Sequence, residues 1–153
     1  MKKRKPKQLI GATDYLDLPE FELENIACKV DSGAYTSTLH CSDIWLLEKE
    51  EQIFLCFKLY APSFKIKSRK TFEFNNFKTR NVRSSNGNLD ERFSIRTPVQ
   101  IFGRSIPTEF TLTSRSKMRF PILLGRKFLK GRFIIDVSKK NLSYTQQESL
   151  KQS

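Results

Sequence analysis

Asp31, Ser32 and Gly33 stand in the stretch "KVDSGAYTSTLH" at 29–40, between two runs that read as strands. A carboxylate at such a turn has two uses. It can form the turn, for which Asp, Ser and Gly are all suited. It can also be half of a carboxyl pair, in which one group takes a proton from water and the other polarises a carbonyl. The triplet alone does not choose between them. Other reactive residues are sparse. His40 is the only histidine. Its spacing from Ser37 and Thr38 is too local for a nucleophile and base, and no orienting acid is evident. Cys28, Cys41 and Cys56 form no C-x-x-C, and no H-E-x-x-H occurs, so no zinc motif is present. Strand alternation sets His40 and Cys41 on opposite faces, so a buried or half-buried structural His40 is expected rather than a metal ligand. No G-x-x-x-x-G-K-S/T loop occurs, so no nucleotide motif is present either. The expectation is no metal and no cofactor.

The elements around the triplet are short. "NIACKV" (25–30) enters the turn and "YTSTLHC" (35–41) leaves it. "QIFLCFKLY" (52–60) alternates, with Ile53, Leu55, Phe57 and Leu59 on one face. "KTFEFNNFKTRNV" (70–82) reads as a hairpin centred on Asn75-Asn76, and 82–96 as one turning at Asn86-Gly87. A third hairpin, 98–113, turns near Gly103-Arg104. In "FPILLGRKFLKGRFIIDV" (120–137) a short apolar run precedes one or two helical turns over 125–130. Gly131 ends those turns and a last strand follows. Many strands with one short late helix predict an all-β barrel or sandwich.

The 153 residues suit one domain, placed at 9–145 between a basic tail (1–8) and a polar tail (146–153). Thirteen phenylalanines argue for a packed interior, and they and Trp45 are read as core. The net charge is +12, and without the five basic residues of "MKKRKPK" it is still +7. Acidic partners are therefore expected: nucleic acid, an anionic surface or an acidic peptide. The basic head has no apolar segment after it, and no run reaches the length of a membrane span. Three cysteines without a secretory signal read as reduced cytoplasmic thiols.

Taken in order, strand, Asp-Ser-Gly-Ala, strand, Gly-tipped hairpin, and then Leu-Leu-Gly-Arg with a short helix, the chain resembles a retropepsin, a single-lobe aspartic peptidase. It is most similar to the bacterial family labelled ATP-dependent zinc protease, associated with the ligase that extends a ribosomal protein's C-terminus with glutamate. The residues that carry the likeness are "IG" (10–11), "LPE" (18–20), "KVDSGAYTSTLH" (29–40), "RNVRSSNGNLDERFSIRT" (80–97) and "FTLTSRSKMRFPILLGRKFLKGRFIIDV" (110–137). Only the tails and the part near 44–70 lie outside it. The zinc and ATP of the label find no motif here.

The resemblance implies an all-β retropepsin-like barrel with one short C-terminal helix. It implies that Asp31 is the catalytic carboxylate, with Ser32 fixing the turn and Gly33 allowing close approach. Ala34 would keep the wall of the site small. The hairpin from about 83 to 96 would be a flap over the substrate, touching it through Arg83, Ser85, Gly87 and Arg92. One Asp-Ser-Gly per chain makes half a site, so a homodimer is expected. The flap arginines point to an acidic substrate, such as a glutamate-rich peptide or ribosomal-protein tail. The partners expected are therefore a second copy, that substrate, and the ribosome or the glutamate ligase; no membrane is expected. A rival expectation keeps the fold without catalysis, as a module that docks ribosome, RNA or the ligase.

Overall fold

The computed structural model describes residues 6–83, 87–115 and 117–152. Its strands are β1 (Gln8–Ile10), β2 (Thr13–Leu18), β3 (Leu23–Val30), β4 (Ser37–His40), β5 (Asp43–Lys49) and β6 (Gln52–Lys58). They continue as β7 (Thr71–Phe74), β8 (Lys78–Arg83), β9 (Leu89–Ile101), β10 (Arg104–Thr113), β11 (Ile122–Leu124) and β12 (Phe133–Ile135). Helix α1 spans Arg126–Leu129 and α2 spans Leu142–Lys151. Neighbours in the main sheet run β10-β4-β11-β3-β2-β9-β8, and β9 also pairs with β10, which closes a barrel. β11 lies between β3, parallel to it, and β4, antiparallel to it. This intercalation carries Leu124 to Val30, and so brings Gly125 to the Asp31 turn.

Alternation along the strands fills the barrel with Leu16, Leu18, Cys28, Leu39, Ile95, Val99, Phe110, Ile122 and Leu124, all nearly or wholly buried. The fold is the all-β barrel expected. Two local expectations fail. β7 and β8 do not form a hairpin at Asn75-Asn76: β7 pairs with β6, and β8 with β9. Two successive strands can enter different sheets, and alternation cannot distinguish that from a hairpin. Trp45 is not core but lies on β5, where every residue is exposed. The β5-β6-β7 sheet spans most of the stretch that the retropepsin likeness leaves out. Its inner face packs Phe57, Phe72 and Phe74 around Phe21, with ring centroids 4.8–5.9 Å from it.

Helix α2 carries residues 146–151, read from sequence as a polar tail. Its N-terminal amides find a distant cap: Ser143 N–H donates to Asp14 Oδ2 at 2.8 Å and Tyr144 N–H to Oδ1 at 3.1 Å. A cap supplied from 129 residues away leaves no local signature. No helix among the described residues is long and apolar enough to cross a membrane.

Candidate active site

Asp31 follows the last residue of β3, and its N–H donates to the Leu124 carbonyl at 2.9 Å. The Gly33 N–H donates to Asp31 Oδ1 at 2.9 Å, which orients the carboxylate, and the Ala34 N–H donates to the Asp31 carbonyl at 3.2 Å. A Cβ on Gly33 would stand 3.2 Å from that Oδ1. Close approach is what glycine supplies here; its φ is not positive.

The Leu-Leu-Gly-Arg element locks this turn from behind. Gly125 N–H donates to the buried Ser37 Oγ at 3.0 Å, Arg126 N–H to the Ala34 carbonyl at 2.8 Å, and Lys127 N–H to the Tyr35 carbonyl at 2.9 Å. A Cβ on Gly125 would lie 2.8 Å from the Tyr35 oxygen and 2.9 Å from that of Ala34. The Arg126 Nη1 donates to the Ser32 carbonyl at 2.9 Å. Two segments almost a hundred residues apart thus make one rigid corner, with the Asp31 carboxylate at its partly open edge.

Arg115 was not singled out in the sequence, and it is the most informative cation nearby. It is buried, and its Nε donates to the Phe120 carbonyl at 2.9 Å. Among the described residues it has no carboxylate partner. Burial lowers its pKa and Arg92 repels it further, while Asp31 pulls the other way. Its guanidinium therefore stands in the fields of both Arg92 and Asp31. No local pattern in "TSRSKMRF" betrays this, because a polar loop gives no sign of which side chain turns inward.

The flap arginines divide. Register pairs Arg80 with Arg92 and Arg83 with Leu89, so Arg83 and Arg92 lie on opposite faces of the β8–β9 hairpin. Arg92 is on the Arg115 side, with Asp90 at 3.7 Å; Arg83 is exposed. Arg80 is taken by Glu109, which it meets at 2.8 Å; Lys127 and Ser94 add bonds to the same carboxylate at 2.6 and 2.7 Å. Burial raises the Glu109 pKa, but these three hydrogen bonds and the Lys127 charge override it and bring it down to about 2.

Ser32 is exposed, Ala34 half-buried, and Gly87 exposed with φ +86°, a left-handed geometry suited to a hairpin tip. Ser85 lies outside the described residues. Among the described residues, no group of three His, Cys, Asp or Glu side chains converges as a metal ion would need. The three cysteines are free and buried, so the residues do not fit the zinc of the family label.

Residues 9–146 match the RimB-like family, described as retropepsin-like aspartic endopeptidase RimB. The chain belongs to the RimB-like family. Among named relatives, a probable alpha-L-glutamate ligase of Desulfotalea psychrophila is 31% identical over 95% of this chain and 34% of its own length. A probable alpha-L-glutamate ligase of Shewanella halifaxensis is 31% identical over 86% of this chain and 29% of its own. The RimB-like chain thus spans about a third of these relatives. A Legionella pneumophila protein of unknown function shares the fold, with TM-score 0.71 and 20% identity over 90% of this chain and 99% of its own.

Proposed function

We propose that this RimB-like chain is an aspartic peptidase that acts as a homodimer, each copy giving one Asp31 to a shared site. The reading rests above all on the Asp31 carboxylate, aimed by the Gly33 amide at 2.9 Å on a turn that Gly125, Arg126 and Lys127 hold from behind. Two carboxyls facing across a two-fold axis share one proton. The ionised one takes a proton from water as the oxygen attacks the amide carbon, and the protonated one donates to the carbonyl oxygen. Proton transfer to the nitrogen then breaks the C–N bond and leaves an acid and an amine.

Arg92 and Arg115 favour an acidic substrate: Arg115 has no carboxylate partner among the described residues, and a buried guanidinium in that state gains most from one brought by a ligand. The relatives' name as glutamate ligases suggests glutamate-rich peptides; a ribosomal-protein tail in the cytoplasm is the substrate proposed. The test uses a peptide ending in six glutamates beside its glutamine counterpart. Wild-type protein cleaves the first far better, and Asp31→Asn lowers the rate by roughly 10²–10⁴-fold with unchanged circular dichroism. Undiminished cleavage by Asp31→Asn would overturn the proposal.

A further inference from the structure

His40 ends β4 at the far side of the wall that carries Arg115, and it is buried. Its Nδ1 accepts the backbone N–H of Arg115 at 2.9 Å. An imidazole nitrogen that accepts an N–H carries no proton, so the ring is neutral with its hydrogen on Nε2. Among the described residues Nε2 has no partner of good hydrogen-bond geometry. The surroundings add little that would welcome a charge. Phe64 meets the ring edge-on at 5.4 Å, and the Pro121 carbonyl is used by the His40 N–H at 2.8 Å. The Cys41 thiol next to it is pushed up to about 11 by burial and stays neutral. The Tyr60 carbonyl is near enough to favour a ring proton, but its phenol is engaged by Arg69. Arg115 is the charge that acts on the ring, with Arg92 and Asp31 beyond it; Asp43 acts on the neighbouring Cys41, and Lys65 follows Phe64.

We propose that His40 is a positioning residue for Arg115: the neutral ring holds the segment that presents this guanidinium to an acidic substrate, and protonation of the ring releases it. A protonated imidazole has only donors, so Nδ1 would face the Arg115 N–H donor to donor and the bond would break. The new cation would also sit against a second one. Burial first, and then Arg115, hold the His40 pKa below its ordinary value, with Tyr60 opposing, so the ring is neutral at neutral pH. Arg115 itself is held by His40 Nδ1 from β4, and within its own loop by the Phe120 carbonyl that accepts from its Nε and by the Met118 N–H that donates to its carbonyl at 2.8 Å. Loss of the first leaves the guanidinium tethered only to its own loop.

The effect on substrate rests on the acidic-substrate reading above; the coupling of His40 to Arg115 does not, and the experiment separates the two. In ¹⁵N-labelled full-length protein, the Arg115 amide resonance moves with the midpoint of the His40 ring titration as pH falls from about 8 to about 4. In His40→Asn, whose side-chain oxygen can take the place of Nδ1 without titrating, it does not. At pH 7, His40→Leu raises KM for the six-glutamate peptide about tenfold, with kcat and the KM for a neutral peptide little changed, and His40→Asn restores the wild-type KM. An Arg115 amide blind to the His40 titration overturns the proposal. So does a KM for acidic peptide that is the same in wild type, His40→Leu and His40→Asn. If wild-type protein cleaves neither peptide, the peptidase reading fails, and the amide titration alone decides the role of His40.

Discussion

Arg80 and Arg115 carry the same side chain into different surroundings. Arg80, on β8, meets Glu109 at 2.8 Å, and that carboxylate also holds Lys127 and Ser94. The cluster ties the flap base, β9, β10 and α1 together, with one buried carboxylate shared by two cations. Arg115, past the end of β10, is more deeply buried, and among the described residues its guanidinium meets the Phe120 carbonyl and no carboxylate. A paired cation on a partly open strand is what a stable fold tends to. An unpaired buried one is a cost that a fold keeps where a ligand will meet it. The first cluster builds the scaffold; in the function proposed above, Arg115 is the cation that faces the substrate.

The largest effect comes from breaking the paired side. Glu109→Gln leaves Arg80 and Lys127 without their shared anion and lowers stability by about 2 kcal/mol in urea unfolding; the figure is modest because both cations are partly exposed and rehydrate. The pH dependence has a definite sign. The folded pKa of Glu109 is held down to about 2 from 4.5, so its stabilisation is complete above about 4.5 and fades as pH falls towards 2. Wild type therefore loses stability faster than Glu109→Gln over that interval. Unfolding curves that keep a constant gap between the two would contradict this.

The unpaired side responds in the opposite way. Arg115→Gln raises KM for the acidic peptide about tenfold, with little change for the neutral one, and leaves the unfolding midpoint unchanged or higher. A stability loss matching that of Glu109→Gln would erase the contrast between the two arginines. Arg83→Gln has the smallest effect, within about 0.5 kcal/mol in stability and about twofold in KM, because Arg83 faces away from Arg92. A KM change for Arg83→Gln as large as that for Arg92→Gln would mean that both faces of the hairpin reach substrate.

These contrasts mark what a one-dimensional reading can reach. The Asp31 turn and the Leu-Leu-Gly-Arg corner were legible because each is a compact run whose residues are fixed by close contacts, Gly125 most of all. The β9–β10 hairpin was legible through Gly103, which takes positive φ at its tip, though the turn is Phe102-Gly103, one residue before the Gly103-Arg104 expected. The Glu109 cluster was not, because it joins four elements spread over residues 80–127 and shows no spacing. Nothing around Arg80 in the sequence shows that a carboxylate from β10 claims it. Arg115 was hidden for the same reason, since its burial is decided by strands that arrive from elsewhere; the burial of His40 was expected, but not its bond to the Arg115 amide. Helix α2 escaped because its exposed turns hold few apolar residues and its cap is Asp14.

The central claim, that two copies each supply one Asp31, is tested most directly by mixing. Wild-type chains are combined with increasing fractions of Asp31→Asn under conditions where subunits exchange, and cleavage of the acidic peptide is followed at constant total protein. Mixed dimers hold a single carboxyl, so activity falls with the square of the wild-type fraction. A fall in simple proportion to that fraction would show that one chain cuts alone, and the paired-carboxyl account would be wrong.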